Sequence, residues 1–150
     1  MSPDQPLKEY DRTVAVDISR GIQRLLVSLG YRSLTEFTLK NNRRADVIAL
    51  NKQGRIIIVE VKSSAADFRS DSKWPEYLEF CDRFYFAVNT DFPQEILPAD
   101  QGMIIADRYG GEILREAEDR KVNGTRRKTL TLNFARTAAQ RLQDISDPGI

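Results

Sequence analysis

Near its start the chain mixes apolar and polar residues with a helical period. The apolar positions recur every three or four residues, which is the spacing of an amphipathic helix. They are Val14, Ile18, Ile22, Leu25, Leu26 and Leu29. We therefore predict a helix over residues 13–29, and Gly30 follows it at the position where a helix commonly ends.

Three short stretches with the composition of β-strands follow this helix. They cover residues 33–39, 44–50 and 55–62, and the turn-forming segments 40–43 and 51–54 separate them. Short connections of this kind join antiparallel neighbours, so the three stretches predict a meander. The third stretch is apolar on both faces, which predicts that it lies in the interior of a sheet as its central strand.

The second half of the chain predicts a mixture of helices and strands. After a polar stretch, the predicted elements are a short helix over 76–81, a strand over 84–88, a loop over 89–102 and two strands over 103–106 and 112–114. The polar stretch covers residues 63–72 and has no predicted element. We predict that the last element, over 129–145, begins extended and continues as a helix with Phe134 on its apolar face.

This order of elements predicts a single α/β domain over residues 1–150, with a mixed central sheet and a C-terminal hairpin and helix. We expect residues 1–10 and 146–150 to be flexible. The first residues lack the apolar stretch of a signal peptide, and no apolar run is long enough to cross a membrane. We therefore expect a soluble cytoplasmic protein without a membrane partner.

The amino-acid composition narrows the chemistry. The chain has no histidine and one cysteine, Cys81, which excludes Ser-His-Asp and Cys-His nucleophile systems, histidine-containing zinc sites and an intramolecular disulfide. Glycine-rich nucleotide-binding motifs are missing, so we expect no nucleotide cofactor. The net charge is +1, so binding to nucleic acid would depend on local basic patches. Carboxylates, lysines and a hard metal ion remain as the means of catalysis.

A charged pair lies at the end of the most apolar predicted strand. Glu60 and Lys62 are two residues apart and therefore point to the same face of that strand. Burying such a pair is costly unless it meets a partner, a metal ion or water. The pair is a candidate site, and the alternative is that the strand reaches the surface here and both side chains face solvent.

Strand pairing brings further carboxylates to the level of this pair. Pairing the strand ends across the 51–54 turn would place Asp46 opposite Val59, whereas a bulge or an odd-numbered loop would place it opposite Glu60. The same count across the preceding turn puts Glu36 within one residue of Asp46. Three carboxylates on three neighbouring strands are thus predicted at almost one level.

Three such carboxylates repel one another unless a cation neutralises them. Mg²⁺ (or Mn²⁺) takes hard oxygen ligands, so we expect a metal site here. The predicted metal ligands are Glu36, Asp46, Glu60 and the backbone carbonyl of Val61. Lys62 beside the ion would orient or help to deprotonate the attacking water, or stabilise charge on a phosphate. The predicted catalytic residues are Asp46, Glu60, Lys62 and Glu36.

These residues resemble the motif of the PD-(D/E)XK nuclease superfamily. Asp46 lies in Arg44-Ala45-Asp46-Val47-Ile48, and Glu60-Val61-Lys62 begins fourteen residues after it. Ala45 stands where the motif has its proline. The resemblance implies a restriction-endonuclease-like core of helix, three-strand meander, helix and strand. It also implies metal-dependent hydrolysis of DNA, with a 5′-phosphate and a 3′-hydroxyl as products.

A closer resemblance is to the MmcB-like bacterial DNA repair proteins within that superfamily, over about two thirds of the chain. It rests on residues 43–46, 58–64, 67–69, 71, 73–77, 80–82 and 106–110. It implies a role in DNA repair, with DNA and other repair proteins as partners. Lys73 stands where RecB-like members of the superfamily have a glutamine, and Tyr77 matches their tyrosine.

Basic residues supply candidate contacts to DNA. Segment 120–128 carries five basic residues in nine and predicts a flexible loop that follows a phosphate backbone, or else an ordinary solvated loop. The predicted DNA-binding residues are Arg43, Arg44, Arg69, Lys73, Arg126, Arg127 and Lys128. The predicted function is a metal-dependent DNA nuclease. The alternatives are an inactive nucleic-acid-binding protein and a protein-interaction module of a repair complex.

Overall fold

The computed structural model describes residues 11–149, so the predicted flexible segment 1–10 and Ile150 lie outside the described part of the chain. The described helices are α1 (Arg12–Ser28), α2 (Ala65–Arg69) and α3 (Gly124–Ser146), with 3-10 helices at Trp74–Phe80 and Gln94–Ile96. The strands are β1 (Arg32–Thr38), β2 (Arg44–Leu50), β3 (Ile56–Val61), β4 (Arg83–Val88), β5 (Gly102–Asp107) and β6 (Gly110–Arg115). No helix among residues 11–149 has the length and apolar character needed to cross a membrane.

The six strands form one mixed sheet in the order of the sequence. β1, β2 and β3 are antiparallel, as the predicted meander requires, β3, β4 and β5 are parallel, and β5 and β6 form an antiparallel hairpin. Every residue of β3 is buried, which confirms its position inside the sheet. The α/β class is confirmed, and the arrangement is consistent with the restriction-endonuclease-like fold.

Helix α1 covers one face of the sheet through the apolar stripe that its sequence predicts. Its buried residues are Ala15, Ile18, Gly21, Ile22 and Leu26. Asp11 caps the helix by accepting hydrogen bonds from two backbone N–H groups. Gly30 follows the helix with a φ of 88°, a conformation that side chains disfavour. At Gly21 the helix touches the β5–β6 turn so closely that a Cβ would overlap the carbonyl oxygens of Asp107 and Gly110.

The opposite face of the sheet is covered by the 3-10 helix Trp74–Phe80 and by α3. Trp74 stacks on Phe84 with ring centroids 5.9 Å apart and meets Phe86 edge-on at 5.2 Å. Tyr77 lies parallel to Phe84, with the centroids 6.3 Å apart. Trp74 and Tyr77 of this helix therefore pack against the sheet.

The connection between β2 and β3 sets the register of the two strands. Leu50 pairs with Ile56, so five residues form the turn. The side chain of Asn51 accepts hydrogen bonds from two backbone N–H groups within this turn and stabilises it. This is the odd-numbered loop of the two predicted alternatives, and it brings Asp46 level with Glu60.

Asp82 joins three parts of the chain through its buried carboxylate. It accepts hydrogen bonds from the backbone N–H groups of Ile56, at 2.7 Å, and Val122, at 3.2 Å. Arg127 of α3 donates two more, at 2.7 and 2.6 Å. Burial alone would raise the pKa of Asp82, but these donors outweigh it and lower the pKa. The start of α3 is thereby fixed to the start of β3.

The structure differs from the sequence analysis in two segments. Residues 63–72 include α2, whose first turn is capped by the side chain of Ser64. Segment 120–128 is not a flexible loop, because α3 begins within it at Gly124, and α3 has no extended start. Asn123 accepts hydrogen bonds from two backbone N–H groups of α3. Asn123 is thus the N-cap of α3, and Gly124 is the first residue of the helix.

We expect Asp82→Ala to lower the free energy of unfolding at pH 7 by about 3 kcal/mol, because it leaves Arg127 and two buried N–H groups without their acceptor. The pKa of Asp82 is lower in the fold than the value of about 4 in the unfolded chain. Its contribution is therefore complete above that value and is lost as the pH falls below it. Urea unfolding at pH 7 and at pH 3 measures both effects, and the difference between the two proteins should shrink at pH 3.

The control for this prediction is Arg126→Ala, on the same turn of α3. Arg126 has a half-exposed ion pair with Glu79, which should contribute less than about 1 kcal/mol. Equal destabilisation by the two substitutions, or a difference that does not depend on pH, would contradict the role given to Asp82.

Candidate active site

The hydrogen-bonded ladder between β2 and β3 ends beside Asp46. The last paired residues are Val47 and Val59. One residue further, the N–H of Asp46 donates to Oε1 of Glu60 at 3.1 Å, and the N–H of Val61 donates to Oδ2 of Asp46 at 2.8 Å. Two carboxylates therefore accept the hydrogen bonds that main-chain carbonyls accept elsewhere in the ladder.

The alternation of side chains along β1 changes at the same level. Leu34 and Phe37 both contact the core under α3, whereas strict alternation would place only one of them there. Between them Glu36 has a φ of 49°, and by register it lies opposite Asp46. Arg141 of α3 holds this segment by donating to the carbonyl oxygens of Glu36, at 2.9 Å, and of the residue before it, at 2.6 Å.

A cleft of about 340 Å³ opens beside Asp46 and Glu60, and we call it the active-site cleft. Its lining residues are Asn42, Arg43, Arg44, Asp46, Glu60, Val61, Lys62, Asp67, Asp71, Lys73 and Tyr77. The structure thus brings together Asp46, Glu60, Val61 and Lys62. Three of the predicted DNA-binding residues, Arg43, Arg44 and Lys73, share the cleft.

Asp46 and Glu60 form an acidic pair in which Glu60 is buried and Asp46 is partly buried. Burial and the neighbouring charge of Asp46 raise the pKa of Glu60 well above its usual range. Burial also raises the pKa of Asp46, although the N–H of Val61 and the contact with Glu60 oppose this. The fully ionised pair is therefore unfavourable in the absence of a proton or a cation.

Lys62 is held in place by Asp71. Its Nζ donates to Oδ2 of Asp71 at 2.6 Å, and only 5% of its surface is exposed. Burial opposes the charged form, but Asp71 and the nearby carboxylates more than compensate, so the pKa of Lys62 is raised. Asp71 is itself fixed by the backbone N–H groups of Lys73 and Trp74, at 2.8 and 3.1 Å. Lys62 is therefore a positioned cation at neutral pH.

The donor set of this cleft fits a hard divalent cation. Burial raises the pKa of both the Asp46 and the Glu60 carboxyl groups, so a bound cation would stabilise their charged forms. Val61 borders the same space. Mg²⁺ and Mn²⁺ accept such oxygen ligands and complete their coordination with water or phosphate. The residues present therefore fit the predicted ion through two carboxylates.

Glu36 does not join this donor set. Its side chain is exposed and does not line the active-site cleft. It borders a second cleft, on the α1 face of the sheet, which it shares with Asp46 and Val61 but not with Glu60 or Lys62. Among residues 11–149, no three Asp, Glu, His or Cys side chains are grouped so that they could hold a metal ion. The predicted three-carboxylate cluster is thus not formed, because the positive φ of Glu36 disrupts the strand at the position that would have aligned it.

The predicted DNA-binding residues near the cleft differ in their contacts. Arg43 lies 3.4 Å from a carboxylate oxygen of Glu76. Arg44 and Lys73 are exposed at the rim of the cleft. Arg69 is exposed at the end of α2 and does not line the cleft. Arg44 and Lys73 are therefore the best placed of the four to contact a phosphate there.

The basic residues at the start of α3 lie outside the active-site cleft. Arg127 donates to Asp82 and also to the carbonyl of Gly54, at 2.7 Å, so its guanidinium stabilises the fold. Arg126 lies over the ring of Phe80, with 4.6 Å from its Cζ to the ring centroid. Lys128 is exposed. The predicted loop of phosphate contacts is therefore replaced by a helix start with a structural arginine.

Sequence reasoning missed the role of Asp71. The sequence did point to this residue, because Asp71 is among the residues on which the resemblance to the MmcB-like proteins rests. Its distance from Lys62 could not be deduced, since α2 and the following turn fold the chain back between them. Asp67 is a similar case, and its Oδ2 accepts hydrogen bonds from the backbone N–H of Ser63 at 2.9 Å and from its hydroxyl at 3.2 Å.

We expect Glu60→Gln to raise the melting temperature of the metal-free protein at pH 8, because the amide oxygen still accepts from Asp46 while a buried charge is removed. The pKa of Glu60 is higher in the fold than the value of about 4.3 in the unfolded chain. The wild type therefore loses stability as the pH rises from that value through the folded pKa, and the advantage of the variant should disappear near pH 4. Thermal unfolding in EDTA between pH 4 and pH 8 measures it.

The matched control is Glu112→Gln, at an exposed glutamate on β6, which should show no gain at any pH. Adding Mg²⁺ at pH 8 should raise the melting temperature of the wild type and leave that of Glu60→Gln unchanged, because only ligand bound to the folded state stabilises it. A pH-independent difference, or equal Mg²⁺ effects, would contradict the assigned burial and ligand role.

Comparison with known proteins gives a consistent assignment. A family model described as DNA repair protein MmcB-like matches residues 4–149. A solved structure of a protein of unknown function from Silicibacter pomeroyi is 45% identical, with a TM-score of 0.88, over 93% of this chain and 95% of that one. The comparison with curated proteins found no match. Because the family model spans nearly the whole sequence, the chain belongs to the MmcB-like family of DNA repair proteins.

Proposed function

We propose that this protein is a metal-dependent nuclease that hydrolyses phosphodiester bonds in DNA during repair. The observation that carries the proposal is the pair formed by the partly buried Asp46 and the buried Glu60 at the end of a strand ladder, with Lys62 in the same cleft. A fold does not require this arrangement, because it places unfavourable charges in an apolar sheet. Membership of a DNA repair family supplies the substrate class.

Asp46, Glu60 and the backbone carbonyl of Val61 would hold Mg²⁺ or Mn²⁺. Bound there, the ion would supply a Lewis acid for a phosphoryl oxygen and make an attacking water more acidic. The protein provides the oxygen ligands and keeps them in place, because each of the two carboxylates also accepts a backbone hydrogen bond.

Lys62 would act as a cation and not as a general base. Its raised pKa keeps it protonated at neutral pH, so it can donate hydrogen bonds to the attacking water or to a phosphate oxygen as charge develops there. Asp71 limits the positions that the ammonium can take and is therefore a positioning residue. Arg44 and Lys73 at the rim would hold the phosphate backbone in the cleft.

An inactive DNA-binding protein is the second candidate function. The observation in its favour is that no three acidic side chains among residues 11–149 are grouped to hold a metal ion, so the donor set is smaller than the sequence predicts. Mg²⁺ often binds through only one or two carboxylates together with waters and substrate phosphate, and for this reason we favour the nuclease.

We expect purified wild-type protein to cut DNA in Mg²⁺ or Mn²⁺, and Asp46→Asn and Lys62→Gln each to lower the cleavage rate by about 10²-fold or more. Removing one group that stabilises developing charge typically has an effect of this size. Gel assays on single-stranded, duplex, flap and junction DNA would measure it.

The control variant is Lys52→Gln, an exposed lysine in the β2–β3 turn, which should cleave at the wild-type rate. Cleavage that survives both Asp46→Asn and Lys62→Gln would rule out the assigned site. Metal-independent DNA binding without cleavage would support the inactive candidate instead.

We expect Asp71→Asn to lower the cleavage rate less than Lys62→Gln does, and to move the alkaline limb of the pH–rate profile to lower pH. Asp71 contributes to the raised pKa of Lys62, so its loss lets the lysine deprotonate earlier. Rates between pH 6 and pH 10 test this, and a profile with the wild-type shape would show that Asp71 has only a structural role.

A further inference from the structure

A second cleft, which we call the α1 cleft, lies between α1 and the edge of the sheet. Its volume is about 420 Å³. Arg12, Ser19, Arg20 and Gln23 of α1 form its helical wall, and they share one face of the helix by their spacing. The sequence reasoning assigned no role to these residues.

The α1 cleft adjoins the active-site cleft. Asp46 and Val61 line both clefts, so the two spaces meet at the candidate metal ligands. A polymer with a phosphate beside Asp46 would therefore continue into the α1 cleft on one side and along the rim of Arg44 and Lys73 on the other.

The helical wall is held firmly beside the candidate site. The backbone N–H of Asp11, just before α1, donates to the hydroxyl of Ser63 at 3.0 Å. Ser63 directly follows Lys62 and is itself bonded to Asp67 in the active-site cleft. Gly21 fixes the middle of the helix against the β5–β6 turn. The start of α1 is thus linked to the same residues that surround Lys62.

Arg12 and Arg20 are suited to contact phosphates. Both are exposed, and neither guanidinium has a hydrogen bond or ion pair within the part of the chain that the structure describes. They are eight residues apart, which places them about 12 Å apart along the helix and therefore next to different phosphates of a strand. Val16 lies between them with 56% of its surface exposed, where it can contact sugars.

The charges of the α1 cleft are separated across it. The two arginines lie on the helix, and the two acids, Glu36 and Asp46, lie on the sheet. The four side chains sum to no net charge. A divalent cation at Asp46 would make the cleft positive overall, so the attraction for a polyanion would depend on that ion.

We propose that the α1 cleft binds the DNA strand next to the phosphate in the active-site cleft, with Arg12 and Arg20 each contacting a backbone phosphate. This inference rests on the proposed function, since it names the path of the same substrate. It assigns the phosphate contacts to Arg12 and Arg20 and not to segment 120–128, whose Arg127 is bonded to Asp82.

The test compares DNA binding by wild type, Arg12→Ala/Arg20→Ala and Arg24→Ala. Arg24 is an exposed arginine of α1 that does not line the α1 cleft, so its substitution controls for the loss of a positive charge elsewhere on the same helix. Fluorescence anisotropy with a labelled single-stranded oligonucleotide in Ca²⁺ reports Kd between 50 and 300 mM salt, and a gel confirms that the DNA stays intact.

We expect the double variant to bind about tenfold more weakly at low salt. The slope of log Kd against log salt concentration should fall by about 1.4, which corresponds to two lost phosphate contacts on a single strand. Arg24→Ala should keep the wild-type slope, and Arg12→Lys/Arg20→Lys should restore most of it. In EDTA the difference between wild type and the double variant should shrink, because the cation no longer offsets Asp46.

The outcomes separate this inference from the nuclease proposal. If wild-type protein binds DNA with the expected salt dependence but never cuts it, binding by the α1 cleft is supported and the nuclease proposal is rejected. If the double variant equals the wild type in Kd, in the salt dependence of Kd and in cleavage rate, DNA binding by the α1 cleft is rejected and the nuclease proposal is unaffected. Equal losses in Arg24→Ala and in the double variant, or no DNA binding by the wild type, would also overturn it.

Discussion

The register between β2 and β3 is the constraint on which the rest of the candidate site depends. A shift of one residue would turn Asp46 towards Val59 and separate the two carboxylates, because neighbouring positions on a strand face opposite sides. Two features far from the cleft fix this register, namely the five-residue turn closed by Asn51 and the bonds between Asp82 and Ile56. Helix α3 secures the second feature through Arg127, and so it influences the site without lining it.

The region around Asp46 collects several features that oppose folding. Glu60 and Lys62 are buried and Asp46 is partly buried next to apolar strands, and a residue other than glycine adopts a left-handed backbone at Glu36. Such features persist only where the surrounding structure holds them, and they concentrate at functional sites. Here the holding groups are backbone N–H donors for the carboxylates, Asp71 for Lys62, and Arg141 for the carbonyl oxygens around Glu36.

The order of helices and strands could be predicted from the sequence because periodicity and turn residues are local signals. The pairing of Asp46 with Glu60 could be narrowed to two registers, and only the turn of five residues decides between them. Glu36 could not be placed, since a single positive φ depends on support from α3, more than a hundred residues away. Arg127 shows the same difficulty, because a basic residue in a basic segment gives no indication that it pairs with a buried acid such as Asp82.

The absence of a side chain at position 21 has a consequence for the width of the space beside α1. The helix rests backbone to backbone on the β5–β6 turn at Gly21, so any methyl group there would have to push the helix axis outward. Arg20 is the neighbouring residue and would move with it. The contact at Gly21 thus helps to set the width of the α1 cleft, because it fixes how closely the helix approaches the sheet. A change at Gly21 or in the β5–β6 turn could alter that width without altering any residue that lines the cleft.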